Sequence, residues 1–169
     1  MQAILEQEKT SDIPETSFCG GKYLTFVLCS EEYGVGILKI REIIGIMNIT
    51  PVPQVPSYMK GVINLRGKVI PVIDLRLKFG FQEVEHTKET CIIVMDIGNK
   101  LTGVIVDTVV EVIDVDSGEF EPAPHFGNGV DTEIILGMAK IKEKVKILLD
   151  IDKVLESVKI NAGENLVTN

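Results

Sequence analysis

The chain has 169 residues, 45% hydrophobic and only 5% aromatic, with no Trp and a formal net charge of −8. That length fits one domain, or two small subdomains sharing a core that aliphatic packing must hold together. The acidic balance argues against a nucleic-acid partner, which is gripped by Lys and Arg neutralising phosphates.

Residues 1–22 read as a flexible tail, polar and acidic, with Pro14 and the Gly20-Gly21 pair. Met1 to Thr16 has no apolar stretch of the kind a secretory signal needs, and no run in the chain is long enough to cross a bilayer. Cys19, Cys29 and Cys91 are an odd number without metal-ligand spacing, as in a reduced cytoplasmic protein. Cys29 and Cys91 fall in apolar strand runs and read as inert core residues, Cys19 as a surface residue.

Tyr23 to Cys29 is the first predicted strand. Ser30-Glu31-Glu32 turns, and Tyr33 to Ile37 returns. Ile37, Ile40 and Ile44 step at helical spacing, which predicts a short helical turn near Leu38 to Arg41. Ile43 to Ile49 reads as another strand, with Gly45 as a bulge. Pro51, Pro53 and Pro56 force an extended loop, and Ser57-Tyr58-Met59 reads as one helical turn.

Gly61 to Leu75 is the most structured stretch. Val62, Ile63 and Leu65 precede Arg66-Gly67, and Val69, Ile70, Val72 and Ile73 follow it. β-branched arms around a dipeptide whose Gly tolerates positive φ predict a hairpin. Pro71 has no N–H for a ladder, so its strand is expected at an edge or bulged there. Asp74 is placed to cap a short helix over Leu75, Lys78 and Phe79, stopped by Gly80. Gln82 to Glu89 is a charged loop.

The pattern then repeats. Thr90 to Ile97, Leu101 to Val106 and Val109 to Val115 read as strands, with Gly98-Asn99-Lys100 as a turn. After a long connection, Glu119 to Gly129, Ile134 to Ile141 and Val145 to Leu149 form a second hairpin. Gly137 to Ile151 is a worn copy of Gly61 to Leu75: Lys68-Val69 meets Lys144-Val145, and Val72-Ile73-Asp74 meets Leu148-Leu149-Asp150. A second echo sets Tyr33-Gly34-Val35 against Thr102-Gly103-Val104. Asp150 caps a C-terminal helix whose Ile151, Val154, Leu155 and Val158 form one apolar stripe expected to pack on the body of the protein. Residues 159–169 are a polar tail.

Two tandem β units follow, about residues 23–80 and 90–158. Short strands and frequent turns make the fold all-β, with about five strands per unit, the size of a small barrel. Whether strands are exchanged between the units is left open. Barrels this small have thin interiors, and the strands are predominantly apolar rather than alternating, so a third apolar layer is expected between them.

The inventory gives no catalytic constellation. His86 and His125 lie in polar or Pro-rich loops, away from Cys or each other in metal spacing. Gly20-Gly21-Lys22 and Gly34-Val35-Gly36 are incomplete as nucleotide motifs. Asp74 and Asp150 recur at matching places, and paired carboxylates can do acid–base work, but helix caps explain the repeat better. Arg66, at the tip of the most apolar hairpin, has two readings: a solvated turn residue paired with Glu42, worth about 0–1 kcal/mol, or an interface anchor.

These stretches also carry a resemblance. Glu31-Glu32-Tyr33-Gly34, Ile37 to Ile43, Lys60 to Gly67 through Pro71 to Arg76, Gly103 to Asp107 and Pro122-Ala123-Pro124 resemble the CheW family of bacterial chemotaxis coupling proteins, over roughly Tyr23 to Val158. The resemblance implies two SH3-like barrels packed together and a non-enzymatic adaptor. Its partners would be the cytoplasmic tip of methyl-accepting chemoreceptors and the regulatory domain of the histidine kinase CheA. It implies no cofactor, no nucleic acid, no membrane insertion, a monomer when free, and a cytoplasmic location at receptor arrays. Residue by residue it assigns receptor contact, in a groove between the barrels, to Ile40, Glu42, Asn64, Arg66, Val109 and Val112. The kinase-facing surface is expected at a barrel end or edge strand of the second unit, without named residues. The alternatives are a coupling domain of a CheV-like or kinase regulatory protein, which would normally sit beside another domain, and, from another class, a small β-barrel enzyme or nucleic-acid module.

Overall fold

The computed structural model describes residues 20–123 and 132–155. The strands are β1 (Gly21–Leu28), β2 (Glu31–Gly36), β3 (Ile40–Gly45), β4 (Met59–Leu65), β5 (Lys68–Asp74), β6 (Cys91–Ile97), β7 (Lys100–Val106), β8 (Thr108–Val115), β9 (Phe120–Pro122), β10 (Ile135–Ile141) and β11 (Lys144–Leu149). A 3-10 turn, Ile37–Lys39, precedes β3, a short helix, Leu75–Lys78, follows β5, and residues 151–155 are helical. Most of the expected N-terminal tail, the whole C-terminal tail, His125 and Val158 lie outside the described residues, but the N-terminal tail ends earlier than expected, because Gly21 and Lys22 already pair in β1.

The strands form two sheets, β8-β1-β2-β11-β10-β9 and β3-β6-β7-β5-β4. Strands are exchanged between the sequence repeats: β1 and β2 join the later strands, while β6 and β7 sit between β3 and β5. Each exchanged hairpin is held by an antiparallel pairing on one side, β1 with β8 and β6 with β3, and by a short parallel pairing on the other, Gly34 opposite Leu148 and Gly103 opposite Val72. These are repeat-equivalent pairs, and at both the glycine lets a neighbouring side chain approach closely. A Cβ on Gly34 would stand 2.9 Å from Leu148 Cδ2, and one on Gly103 would stand 2.9 Å from Ile92 Cγ2. The Asp74 N–H donates to Tyr58 O at 2.7 Å, and the Asp150 N–H donates to Ile134 O at 2.8 Å. The duplication is thus symmetric in its hydrogen bonds.

Among the described residues there are three apolar clusters. One lies inside each barrel, around Ile63, Ile70, Val72, Ile92, Val94 and Ile105 in the first and around Tyr23, Ile113, Val115, Ala139 and Leu148 in the second. The third, with Phe26, Leu28, Val35, Ile73, Met95, Val104 and Leu149, draws on both sheets. β6 shows why its sequence does not alternate. Ile92 and Val94 enter the barrel, while Ile93, Met95 and Ile97 enter the shared layer. Side chains on a strand point alternately to its two faces, and here both faces are buried. Ile151, Val154 and Leu155 of the C-terminal helix pack into the shared layer.

Several local expectations are corrected. Cys29 is not a core residue. It and Ser30 form the β1–β2 turn at φ 51° and 70°, and its side chain is exposed; Cys91 opens β6 half-buried. β3 starts at Ile40 and ends at Gly45, and its register shift falls between Ile40 and Glu42 rather than at Gly45. Ile46, Met47 and Ile49 leave the ladder yet still pack on the barrel core, so their apolarity reports burial, not strand. Ser57 and Tyr58 make a turn closed by the Met59 N–H donating to Pro56 O at 3.0 Å, and Met59 already belongs to β4. β5 is an inner strand, not an edge. Pro71 is tolerated because the β7 ladder begins only at Val72.

A charged clamp ties the barrels. Asp107, in the crossing from β7 to β8, accepts two bonds at 2.8 Å from the Arg76 guanidinium and a third at 3.0 Å from the Cys29 N–H. Burial alone would raise the Asp107 carboxyl, but the guanidinium and the amide more than offset it and hold it below the ordinary carboxylate range. A depressed carboxylate adds stability that is present above its unfolded value, near 4, and is lost as pH falls through the folded value. Asp107→Asn is therefore expected to cost about 1–2 kcal/mol at neutral pH. The gap to wild type should close as the pH is taken below about 4. Urea denaturation of both proteins across that range checks it. A gap independent of pH would remove the ionic part of the clamp.

Candidate functional site

The β4–β5 hairpin turns on Arg66 and Gly67, at φ 52° and 88°. Two successive positive φ values match the twist of the flanking strands. Asn64 Oδ1 accepts the Gly67 N–H at 2.9 Å, which braces the turn and so aims Arg66. The Arg66 side chain is 69% exposed and forms an ion pair with Glu42 on β3. A second pair, Arg41 with Asp96 at 2.5 Å, lies beside it, and the Arg41 hydrogen bond holds the Asp96 carboxyl below its usual range.

Both pairs line a hollow of about 580 Å³ whose apolar floor is Leu65, Ile70, Val94 and Leu101. Those four residues belong to or pack against the cluster inside the first barrel, so the hollow is that barrel's mouth. It offers two guanidinium–carboxylate pairs over an aliphatic surface, which suits a partner carrying both charge and apolar side chains.

The other sequence-derived residues lie elsewhere. Ile40 and Val109 are half-buried against the shared middle layer. Val112 stands 50% exposed on β8. The structure therefore joins Glu42, Asn64 and Arg66 at one mouth, sets Ile40 and Val109 on the layer between the barrels, and leaves Val112 facing solvent. β3 and β8 are each the outermost strand of their sheet. Ile43 on β3 and Val110 on β8 are exposed too, and Leu38, in the 3-10 turn, is 95% exposed. Sequence reasoning passed over Leu38 and Ile43 because they lie in an apolar run whose other members, Ile37, Ile40 and Ile44, are half-buried against the core.

The acidic repeat is structural. Asp74 Oδ1 accepts the Arg76 N–H at 2.9 Å, and Asp150 Oδ1 accepts the Lys153 N–H at 3.3 Å. Burial raises the Asp74 carboxyl, partly offset by the Leu77 and Arg76 amides and by Lys60. Among the described residues no three His, Cys, Asp or Glu side chains are grouped to hold a metal ion.

Comparison with known proteins closes the question of kinship. The family model for the CheW-like domain matches residues 22–159. The chain belongs to the CheW-like family. A chemotaxis protein CheW of Klebsiella aerogenes is 39% identical over 147 residues, covering 87% of this chain and 89% of the relative. The CheW of Bacillus subtilis is 37% identical over 138 residues, covering 81% and 88%. The crystal structure of the scaffolding protein TtCheW from Thermoanaerobacter tengcongensis superposes with a TM-score of 0.74 at 37% identity, covering 81% of this chain and 93% of that one. The two SH3-like barrels are thus the CheW-like fold, and the Arg66 hairpin lies within the matched stretch.

Proposed function

We propose that this chain is a non-enzymatic chemotaxis coupling protein that joins methyl-accepting receptors to the histidine kinase CheA and places kinase output under receptor control. The observation that carries this is its match to CheW proteins over nearly their whole length. The higher identity to proteins of that name, 39% against 28% for a CheV3 of Helicobacter pylori, favours a CheW-type coupler over a CheV-like or kinase-embedded domain. Among the described residues no helix is long and apolar enough to cross a membrane. The coupler would act in the cytoplasm and reach receptor arrays by binding.

The receptor would present an amphipathic helix. Helix-in-groove binding needs apolar walls and a polar group to set register. Ile40, Val109 and Val112 supply the first chemistry, and Arg66, with Glu42 and the Asn64 brace, supplies the second. The kinase would take a different face, and holding both partners at once raises the effective concentration of each for the other. Receptor state then biases kinase state only through contacts that differ between the two states.

Co-sedimentation with a receptor cytoplasmic fragment and with the kinase regulatory domain, separately and together, tests the reading. A coupler binds each and forms a ternary assembly; binding to neither sinks it. Within that assay, Val112→Asp should weaken receptor binding by about 1 kcal/mol, roughly fivefold. The melting temperature should stay unchanged, because the side chain is half exposed already.

A further inference from the structure

The barrels differ where their parallel ladders open. β5 and β7 pair only over Val72–Asp74 and Gly103–Ile105. On the hairpin side of that ladder they part, leaving a groove of about 580 Å³ lined by Val69, Ile70, Pro71, Leu101 and Leu155, with Lys68 and Lys100 as its charged residues. In the other barrel the corresponding gap, between β11 and β2, is spanned by an ion pair between Lys146 and Glu32. One gap is closed by the chain's own strands, and the other is left open with Val69 largely exposed.

We propose that this groove is the docking site of the chain's own C-terminal segment, residues 156–169. Leu155 lines the groove and is the last residue described before that segment, which therefore starts at the groove wall. Ile151, Val154 and Leu155 are buried, and Val158 continues their spacing by one turn, with Ile160, Leu166 and Val167 beyond it. Among the described residues Lys68 and Lys100 have no ion pair, and the segment carries Glu156 and Glu164 against a single Lys159. Lys68, Ile70, Asn99 and Leu101 line both this groove and the Arg66 hollow, so a seated segment shares a wall with that hollow. The docking does not depend on the receptor reading.

Methyl NMR on the full-length protein tests it. Contacts are expected from the Val158 and Ile160 methyls to those of Val69, Ile70 and Leu101, unchanged on dilution. Amide exchange over residues 158–160 should be slowed by about tenfold or more relative to a free peptide of that sequence. Ile160→Asp should abolish that protection and shift the Ile70 and Leu101 methyls, while Ile113 and Ala139 in the other barrel stay put. Free-peptide exchange with no such contacts overturns the proposal. So do contacts that appear only between differently labelled copies, since the occupant would then be a second molecule.

Discussion

Glu32→Ala is expected to destabilise the protein by about 3 kcal/mol. Lys146 is 6% exposed at its side chain and points into the second barrel, where Glu32, 22% exposed, is its charged partner. Removing the carboxylate leaves an ammonium inside an aliphatic barrel without its counter-charge, the costly way to break a buried pair. The repeat supplies the remedy. By the two sequence echoes, Lys146 corresponds to Ile70 and Glu32 to Leu101, which pack together in the first barrel's cluster. The double substitution Glu32→Leu with Lys146→Ile should therefore return stability to within about 1 kcal/mol of wild type, or exceed it. Urea denaturation of the four proteins in the cycle measures both quantities. A double variant as unstable as the single one would mean that the second barrel is not shaped like the first at this position.

That comparison marks how far the sequence could be read. The Arg66 hairpin, the Asp74 cap and the second copy of both were legible because each depends on residues close together in the chain. A dipeptide sets the turn, and a carboxylate sets the helix start. The middle layer was legible from an absence: β6 fails to alternate, so neither of its faces meets water. The partners of β2 and β11 were not legible. Glu32 and Lys146 are 114 residues apart, and an exchanged and an unexchanged pair of barrels bury the same residues in the same alternation. Cys29 was misjudged because an apolar run does not reveal where its turn falls. At the site, the Arg66–Glu42 pairing was open to inference from residue type, but the exposure of Leu38 and Ile43 was not. An apolar residue in an apolar stretch carries no mark of the face it occupies.

Arg66→Glu is expected to weaken receptor binding by about 2 kcal/mol or more, roughly thirtyfold, as the loss of an interface anchor does. The substitution puts a carboxylate beside Glu42, turning an attractive pair into a repulsive one at the barrel mouth. The fold should tolerate it. The side chain is largely exposed, such a surface pair contributes only about 0–1 kcal/mol, and Glu meets the same positive φ that Arg already bears. Stability and binding therefore separate, and calorimetric titration of a receptor fragment beside a thermal melt reads each. The charge-swapped double variant, Glu42→Arg with Arg66→Glu, adds a decisive arm. It restores the internal pair while leaving the receptor opposite the wrong charge. Rescue of binding would show that the pair matters only for holding the mouth in shape, whereas continued loss means that the receptor itself reads the guanidinium. If kinase binding falls and receptor binding holds, the mouth belongs to the kinase and the receptor must be sought along the outer strands, where Val112, Ile43 and Leu38 face solvent.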